Sequence, residues 1–395
     1  MRILVLNADY LRFQAWLYGR QPGLEHAAYA AQMAARNASL FGLADFYSRN
    51  FAALGHPAAE IHVNNPWLQA AWARKHGMAL QPPAATAERR ALPGWLERAV
   101  TPFKPLLRPL ARKVGLSPKL DAQAETILLA QIEEFRPDLV LNQDVFHIDS
   151  RLMRRIKGIG SPIAIGQVGI EPSRGEDWSV YDLMISQLPT TVNFFRALGV
   201  RSEVSHLAFE PSILDALPAS PAADVEVSFV GSISADHRQR IALLEAVAER
   251  YDLKLWGNRP QALPASSPLH RCFQGEVWGG DMYQVLRRSR ITLNSHIDLA
   301  GREAGNMRLF EATGVGAFLL TDFKDNLDTL FAPDREVAVW RSIDHCLQAI
   351  ERHLRDAEGR AQIARAGQGR TMAQHTYRHR AGEILGFMDG RRAPQ

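Results

Sequence analysis

Cysteine is nearly absent: the 395 residues hold two, Cys272 and Cys346. A pair so far apart excludes a disulfide framework and points to a reducing compartment. No apolar run is long enough to span a bilayer. The opening Met1-Arg2-Ile3-Leu4-Val5-Leu6-Asn7 is too short for the apolar core of a secretory leader, so it reads as a first strand and the expected location is cytoplasmic. Zinc-finger spacing is missing, as is any dense Lys/Arg run with interleaved aromatics, which excludes the common nucleic-acid modules. Charge of one sign is scarce too. Forty-six Lys and Arg against 42 Asp and Glu leave +4, with a pI near 9.1. That mild excess suits an anionic small substrate or an anionic membrane surface.

What is present is length and alternation. A chain this long exceeds most single cores, so two domains are expected. Ile3 to Leu6 forms the first strand. Asn7, Ala8, Asp9 and Tyr10 leave its carboxyl end, where open α/β sheets bind ligands. Asp9 reads either as a catalytic candidate there or as turn chemistry. Helical spacing recurs between Glu25 and Phe51, and again over Trp67 to His76. Residues 81–119 differ, because seven prolines exclude a long helix. From Leu92 to Lys119 basic residues mix with Trp95, Phe103 and leucines. This insertion either rests on anionic lipid at the inner membrane face or is solvated, its basic stems covering apolar surface.

Further strands are expected over Asp138–Asn142, Pro162–Gln167, Tyr181–Ser186 and Arg201–His206, with helices over Ala124–Phe135 and Thr190–Leu198. This alternation predicts a parallel sheet with helical crossovers. The loop after Asn142 is the richest in polar groups. Its His147, flanked by Asp144 and Asp149, is either a base for the chemistry or a partly buried His satisfied by backbone. His206 reads as structural. The Pro/Ala-rich stretch to Asp224 marks a linker, so the domains are set at 1–207 and 208–388, with a tail over 389–395.

The second half opens with the strand Val225–Val230, followed by Gly231-Ser232 and a helix from about His237 to Arg250. The glycine allows close approach of backbone N–H groups to a phosphate. Arg238 and Arg240 sit in the first helical turn, an unfavourable place for cations without an anion nearby. Leu253–Trp256 is a strand ending at Gly257. Trp256 faces a nucleobase or packs in the core. Ile291–Leu293 is another strand, from which Asn294, Ser295, His296 and Asp298 run toward Glu303. Then comes GREAGNMRLFEATGVGAFLLTD, Gly301 to Asp322. A helix is expected from about Asn306 to Gly314 or Gly316, then a buried strand over Ala317–Thr321 with Asp322 in the loop beyond.

This stretch resembles the donor-site signature of GT-B glycosyltransferases, and in detail the group that includes the CgeB-like proteins. The carriers are Glu303 and Glu311 with seven residues between them, Asn306-Met307-Arg308-Leu309-Phe310-Glu311, Gly316 to Asp322, and His375-Thr376-Tyr377. The likeness covers roughly Val225 to Met388. It implies an α/β GT-B architecture, two Rossmann-like domains with parallel sheets facing a cleft. It further implies transfer of a sugar from a nucleotide diphosphate sugar to a glycan, lipid-linked or protein acceptor, without metal or bound cofactor and with retention of configuration. On this likeness Glu303 touches the sugar and Glu311 accepts the ribose hydroxyls. Arg308, the helix start at Asn306, Gly231, Ser232 and Arg238 hold the diphosphate, although the lysine usual near Arg238 is absent. Trp256, Gly257, Asn294 and His296 complete the nucleotide side. Other readings are a non-catalytic scaffold on the same fold and a nucleotide-sugar epimerase.

Overall fold

The computed structural model describes residues 1–42, 44–80, 119–219, 222–233, 237–258 and 263–390. The insertion expected at 81–119 therefore lies outside the described residues apart from Lys119, as do 391–395 of the tail. The chain forms two compact units, Met1–Ala38 with Leu43–Val204 and Ser39–Gly42 with Ser205–Gln395. The second unit thus starts at Ser205 rather than 208, and it includes four residues from early in the chain.

In chain order the first unit contains β1 (Ile3–Asn7), α1 (Leu11–Arg20), α2 (Tyr29–Ala38), α3 (Phe46–Ala53), β2 (Ala58–His62), α4 (Pro66–Lys75), α5 (Ala122–Phe135), β3 (Leu139–Asn142), α6 (Ser150–Lys157), β4 (Ile163–Gln167), β5 (Leu183–Ser186), α7 (Pro189–Ala197) and β6 (Ser202–Val204). The strands make one sheet in the order β2-β1-β3-β4-β5-β6, and every pairing is parallel. All residues of β1, β3 and β5 are buried, as a parallel sheet covered on both faces by helices requires. Leu4, Leu6, Val140 and Met184 pack with Ile132 and Phe195 in one core. Local signals start the helices. Asn65 caps α4 by accepting from Leu68 N, with Pro66 in the first turn, and Asp149 caps α6 through Leu152 N.

The second unit contains α8 (Ser212–Ala216), β7 (Val225–Val230), α9 (Arg238–Arg250), β8 (Leu253–Trp256), β9 (Phe273–Gly275), α10 (Gly279–Arg288), β10 (Ser289–Asn294), α11 (Met307–Gly314), β11 (Leu319–Asp322), α12 (Leu327–Leu330), β12 (Ala338–Trp340), α13 (Ile343–Arg355), α14 (Ala357–Gln374) and α15 (Tyr377–Met388). Its sheet runs β12-β11-β10-β7-β8-β9, again all parallel. Asp322 is the last residue of β11 rather than part of a loop. The His375-Thr376-Tyr377 motif is an anchor. Phe209 N–H donates to His375 O and Tyr377 N–H to Phe209 O, while Thr376 and His379 close a capping box on α15.

Each sheet reverses its strand order once, between β1 and β3 and between β7 and β10. In such sheets the crevice beyond the carboxyl ends at that reversal is where ligands bind.

Candidate functional site

In the second unit the loops leaving β7 and β10 lie at the reversal point, and short backbone contacts fix the first of them against the ends of β8 and β9. Gly231 N–H donates to Trp256 O at 2.9 Å, and Gly257 N–H to Gly275 O at 2.9 Å. Gly257 has φ +152°, and a methyl on it would lie 2.0 Å from Gly231 O, so only glycine permits this approach. The Asn258 amide clasps the turn in both senses, accepting from Ile233 N (3.1 Å) and donating to Ile233 O (3.0 Å). Trp256, at the end of β8, is half-buried.

Arg240 joins the two loops. It is buried on α9, with Nη1 donating to Ser232 O and Nη2 to Ser295 O, both at 2.7 Å. Burial lowers its pKa, while the charges of Asp322 and Asp298 favour the guanidinium. Arg238, the residue the sequence pointed to, is exposed at the first position of α9. The basic group built into the loop is Arg240, which the sequence placed in the same turn but without a role of its own. The signal was available: Leu243, Leu244 and Val247 mark the buried face of α9, and Arg240 lies three, four and seven residues before them.

Asn294 and Asn306 exchange amide hydrogen bonds, Asn294 Nδ2 to Asn306 Oδ1 at 3.1 Å and Asn306 Nδ2 to Asn294 Oδ1 at 2.8 Å. Asn306 also caps α11 by accepting from Leu309 N. The pair thus welds the start of α11 to the end of β10. His296 is buried, and both ring nitrogens are used within the protein. Nε2 accepts from Gly305 N–H at 3.2 Å, which leaves Nδ1–H to donate to Asp322 Oδ1 at 2.7 Å. Burial opposes ionisation of Asp322, but the hydrogen bonds from His296, with the Lys324 ammonium beside it, hold its carboxyl below the usual range. His296 was expected on the nucleotide. The correction is that it braces the Gly301–Asn306 loop from beneath, because it has no ring nitrogen left for a ligand. That loop carries Glu303, which is half-exposed beyond the short 3-10 turn Asp298–Ala300.

Arg308 and Glu311 pair on α11 at 2.8 Å. Arg308 Nε also donates to Val230 O at the end of β7, and Nη1 contacts Met282 Sδ at 3.1 Å. Glu311 is buried. Burial raises its pKa, against the Arg308 charge and a hydrogen bond from Tyr283.

In the first unit the carboxyl end of β1 carries a closed polar network. Arg36 grips Asp9 through Nη2 (2.6 Å) and Nε (3.1 Å), and both side chains are fully buried. His62 Nδ1 stands 3.3 Å from Asp9 Oδ1. Asn65 Nδ2 donates to Asp9 Oδ2, and Asn64 exchanges bonds with the Asp9 backbone. Burial works to raise the Asp9 pKa, yet the charges and hydrogen bonds of His62 and Arg36 hold it far below the ordinary value. Asp9 was a catalytic candidate, and the structure corrects this: it is a buried counter-ion, neither able to reach a substrate nor to take up a proton near neutrality. His147 fares differently. It is half-buried in the loop after β3, with Nδ1 2.7 Å from Asp144 Oδ2, close but outside hydrogen-bond angles. Asp144 raises its pKa despite partial burial, and Asp144 itself is fixed by accepting from His147 N.

Residues 238–386 match the family described as glycosyl transferase-like. No curated protein sequence matches the chain. Solved structures do. A glycosyltransferase from Rickettsia africae ESF-5 is 9% identical, with TM-score 0.59 over 98% of each chain. Anabaena Alr3699/HepE in complex with UDP-glucose is 13% identical, TM-score 0.56, covering 99% of this chain and 100% of that one. Sucrose-phosphate synthase from Thermosynechococcus elongatus is 11% identical, TM-score 0.55, over 99% of each chain. At such identities the likeness establishes the fold. The chain has the GT-B fold of two Rossmann-like units, and the second unit carries the glycosyl transferase-like sequence.

Proposed function

We propose that the protein is a glycosyltransferase that moves a sugar from a nucleoside diphosphate sugar to the hydroxyl of a glycan, lipid-linked or protein acceptor. The observation that carries this reading is the family match over 238–386, which spans the loop ends of β10 and β11 and the Glu303–Glu311 stretch. HepE, of the same fold, binds UDP and UDP-glucose, which makes UDP the first nucleotide to try here. In the reaction the bond from the sugar's anomeric carbon to the diphosphate oxygen breaks and a bond to the acceptor oxygen forms. The departing diphosphate is stabilised by Arg308 and the N-terminal N–H groups of α11, without metal. Glu303 contacts the sugar. His147, kept basic by Asp144, is the candidate to receive the acceptor's proton. Retention of configuration is the proposed stereochemistry.

The test is a thermal-shift screen of UDP, GDP, dTDP, ADP and CMP with their sugars, since a ligand of the native state raises Tm by mass action. One nucleotide should stand out, and its sugar conjugate should be turned over. Glu303→Gln should keep the nucleotide shift and lose turnover. Binding without turnover under any acceptor would favour a scaffold, and conversion of the nucleotide sugar to its epimer with no free nucleotide released would favour an epimerase. No shift with any nucleotide would sink the reading.

A further inference from the structure

The first sheet carries a row of amides at the carboxyl end where its strand order reverses. Leu6 is in register with Asn142, and Asn142 with Gly166. Gln143 N–H donates to Leu6 O at 2.9 Å, which continues the ladder by one residue. The next rung is therefore Asn7, Gln143 and Gln167, across β1, β3 and β4. Side chains level with one another in a parallel sheet stand on the same face. The bond between two of them agrees, since Gln143 Nε2 donates to Gln167 Oε1 at 2.7 Å. Asn7 is buried at the inner end of the row, Gln143 is half-buried and Gln167 is 7% exposed.

An amide pair of this kind has a fixed remainder. Gln143 and Gln167 make no other side-chain hydrogen bond among the described residues. One carbonyl and one amide NH2 are left over, and turning both amides round exchanges them without changing the sum. The edge of the pair thus offers one acceptor and one donor, and no charge. The chain around it is pinned. Val168 N–H donates to Ile185 O at 3.1 Å, and a methyl on Gly169 would sit 2.7 Å from Gln187 Nε2. His147 lies four residues beyond Gln143 on the loop after β3, with its side chain 23% exposed.

Two adjacent hydroxyls on a sugar ring are the complement of such an edge: one donates to the carbonyl, and the other accepts from the amide. A phosphate acceptor calls for cations instead. Here Arg174, on the loop after β4, lies over the Phe194 ring, while Lys119 and Arg151, beside the loop after β3, are paired with Asp149 and Glu125. A serine or threonine acceptor has a single hydroxyl, which leaves half of the pair unused. We propose that Gln143 and Gln167 are an acceptor subsite for a neutral saccharide, holding two adjacent ring hydroxyls beside His147. The proposal rests on the transferase reading and narrows its acceptor to one class.

The experiment measures transfer from the nucleotide sugar found by screening to methyl glycosides of glucose, galactose, mannose and N-acetylglucosamine, to octyl glucoside, to a Ser/Thr peptide and to farnesyl phosphate. A glycoside should be the substrate. A lower KM for octyl than for methyl glucoside identifies a lipid-carried sugar, and equal values a free one. Gln143→Leu and Gln167→Leu should each raise the acceptor KM about fivefold, the size of one neutral hydrogen bond, with the nucleotide thermal shift kept. A deoxy glycoside lacking one of the two hydroxyls should cost the wild type about fivefold and the matching leucine variant less than about twofold. Transfer to the peptide or farnesyl phosphate alone, or leucine variants with unchanged KM, would overturn the proposal. If the leucine variants do not fold, saturation-transfer NMR of the wild type with the methyl glycosides decides. Saturation centred on ring protons beside two adjacent hydroxyls supports the subsite, and no saturation overturns it. A wild type that no nucleotide stabilises sinks the transferase reading, and the same NMR measurement then judges the subsite separately.

Discussion

Removing the Arg36 charge tests whether Asp9 is a structural or a chemical residue. Arg36→Met leaves the Asp9 carboxylate fully buried with only His62 at 3.3 Å and Asn65 at 3.4 Å beside it. Breaking a buried pair from one side costs about 3–5 kcal/mol, because the remaining charge has lost its compensation. For a unit of this size each kcal/mol lowers Tm by about 2–4 °C, so the drop should be about 6–20 °C. Pairing Arg36→Met with Asp9→Asn removes both charges and should recover most of the loss. Calorimetry or urea unfolding reads stability, and turnover of the nucleotide sugar found by screening reads chemistry. Refutation comes in two forms. The first is a cost of Arg36→Met under about 1 kcal/mol, against the magnitude for buried pairs. The second is a double variant that regains stability but no turnover, which would make Asp9 chemical after all. The sign of the pH effect is fixed as well. The folded pKa lies below the ordinary carboxylate value of 3.8, so the Asp9 contribution is complete above that value and is lost as pH falls beneath it. Between pH 5 and 8 this group should leave stability flat.

Four further outcomes are expected. The His147 pKa is raised above 6.5 by Asp144, so kcat/KM should climb with pH through a value above 6.5, and Asp144→Asn should move that limb down; a limb that stays put removes His147 from the chemistry. The same shift gives stability that is present below pH 6.5 and fades as pH rises through the folded value, which a pH series of unfolding curves would record. Gly257→Ala should cost about 1–3 kcal/mol in urea unfolding and weaken nucleotide binding, since its methyl meets Gly231 O at 2.0 Å. Thr376→Ala should cost about 1 kcal/mol through loss of the α15 cap, and Thr376→Ser should restore most of it.

The sequence was most legible where apolar runs are bounded by turn chemistry. β7, β8 and α9 fall where the residue pattern puts them, because Val, Leu and Ile runs between Gly and charged residues admit few alternatives. β12 was missed, since Ala338-Val339-Trp340 is too short to show a period. α1 was missed because Leu11–Arg20 mixes buried Gln14 with exposed Leu11 and so carries little stripe to read. The polar site was harder still. Nothing near Asp9 announces Arg36, because that pairing is made by tertiary packing across 27 residues. Arg238 and Arg240 look alike as neighbours in a list, and only the helical phase separates the exposed one from the buried one. For His296 the sequence marked the right place but the wrong task, since its partners Gly305 and Asp322 are brought together only by the parallel pairing of β10 with β11.

The early-chain strap Ser39–Gly42, part of the second unit, has a practical consequence for anyone cutting this protein into modules. A fragment or chimera built from Ser205 onward would contain every strand of the second sheet, yet it would leave behind the four residues that sit against Gly279, Glu311 and Tyr377. Exchanging halves between relatives at the linker would then pair a foreign strap with a native seat. Grafting Ser39–Gly42 together with the second unit, or matching residues 279, 280 and 377 to the donor of the first half, turns an apparently clean cut into one that respects the molecule's actual seams.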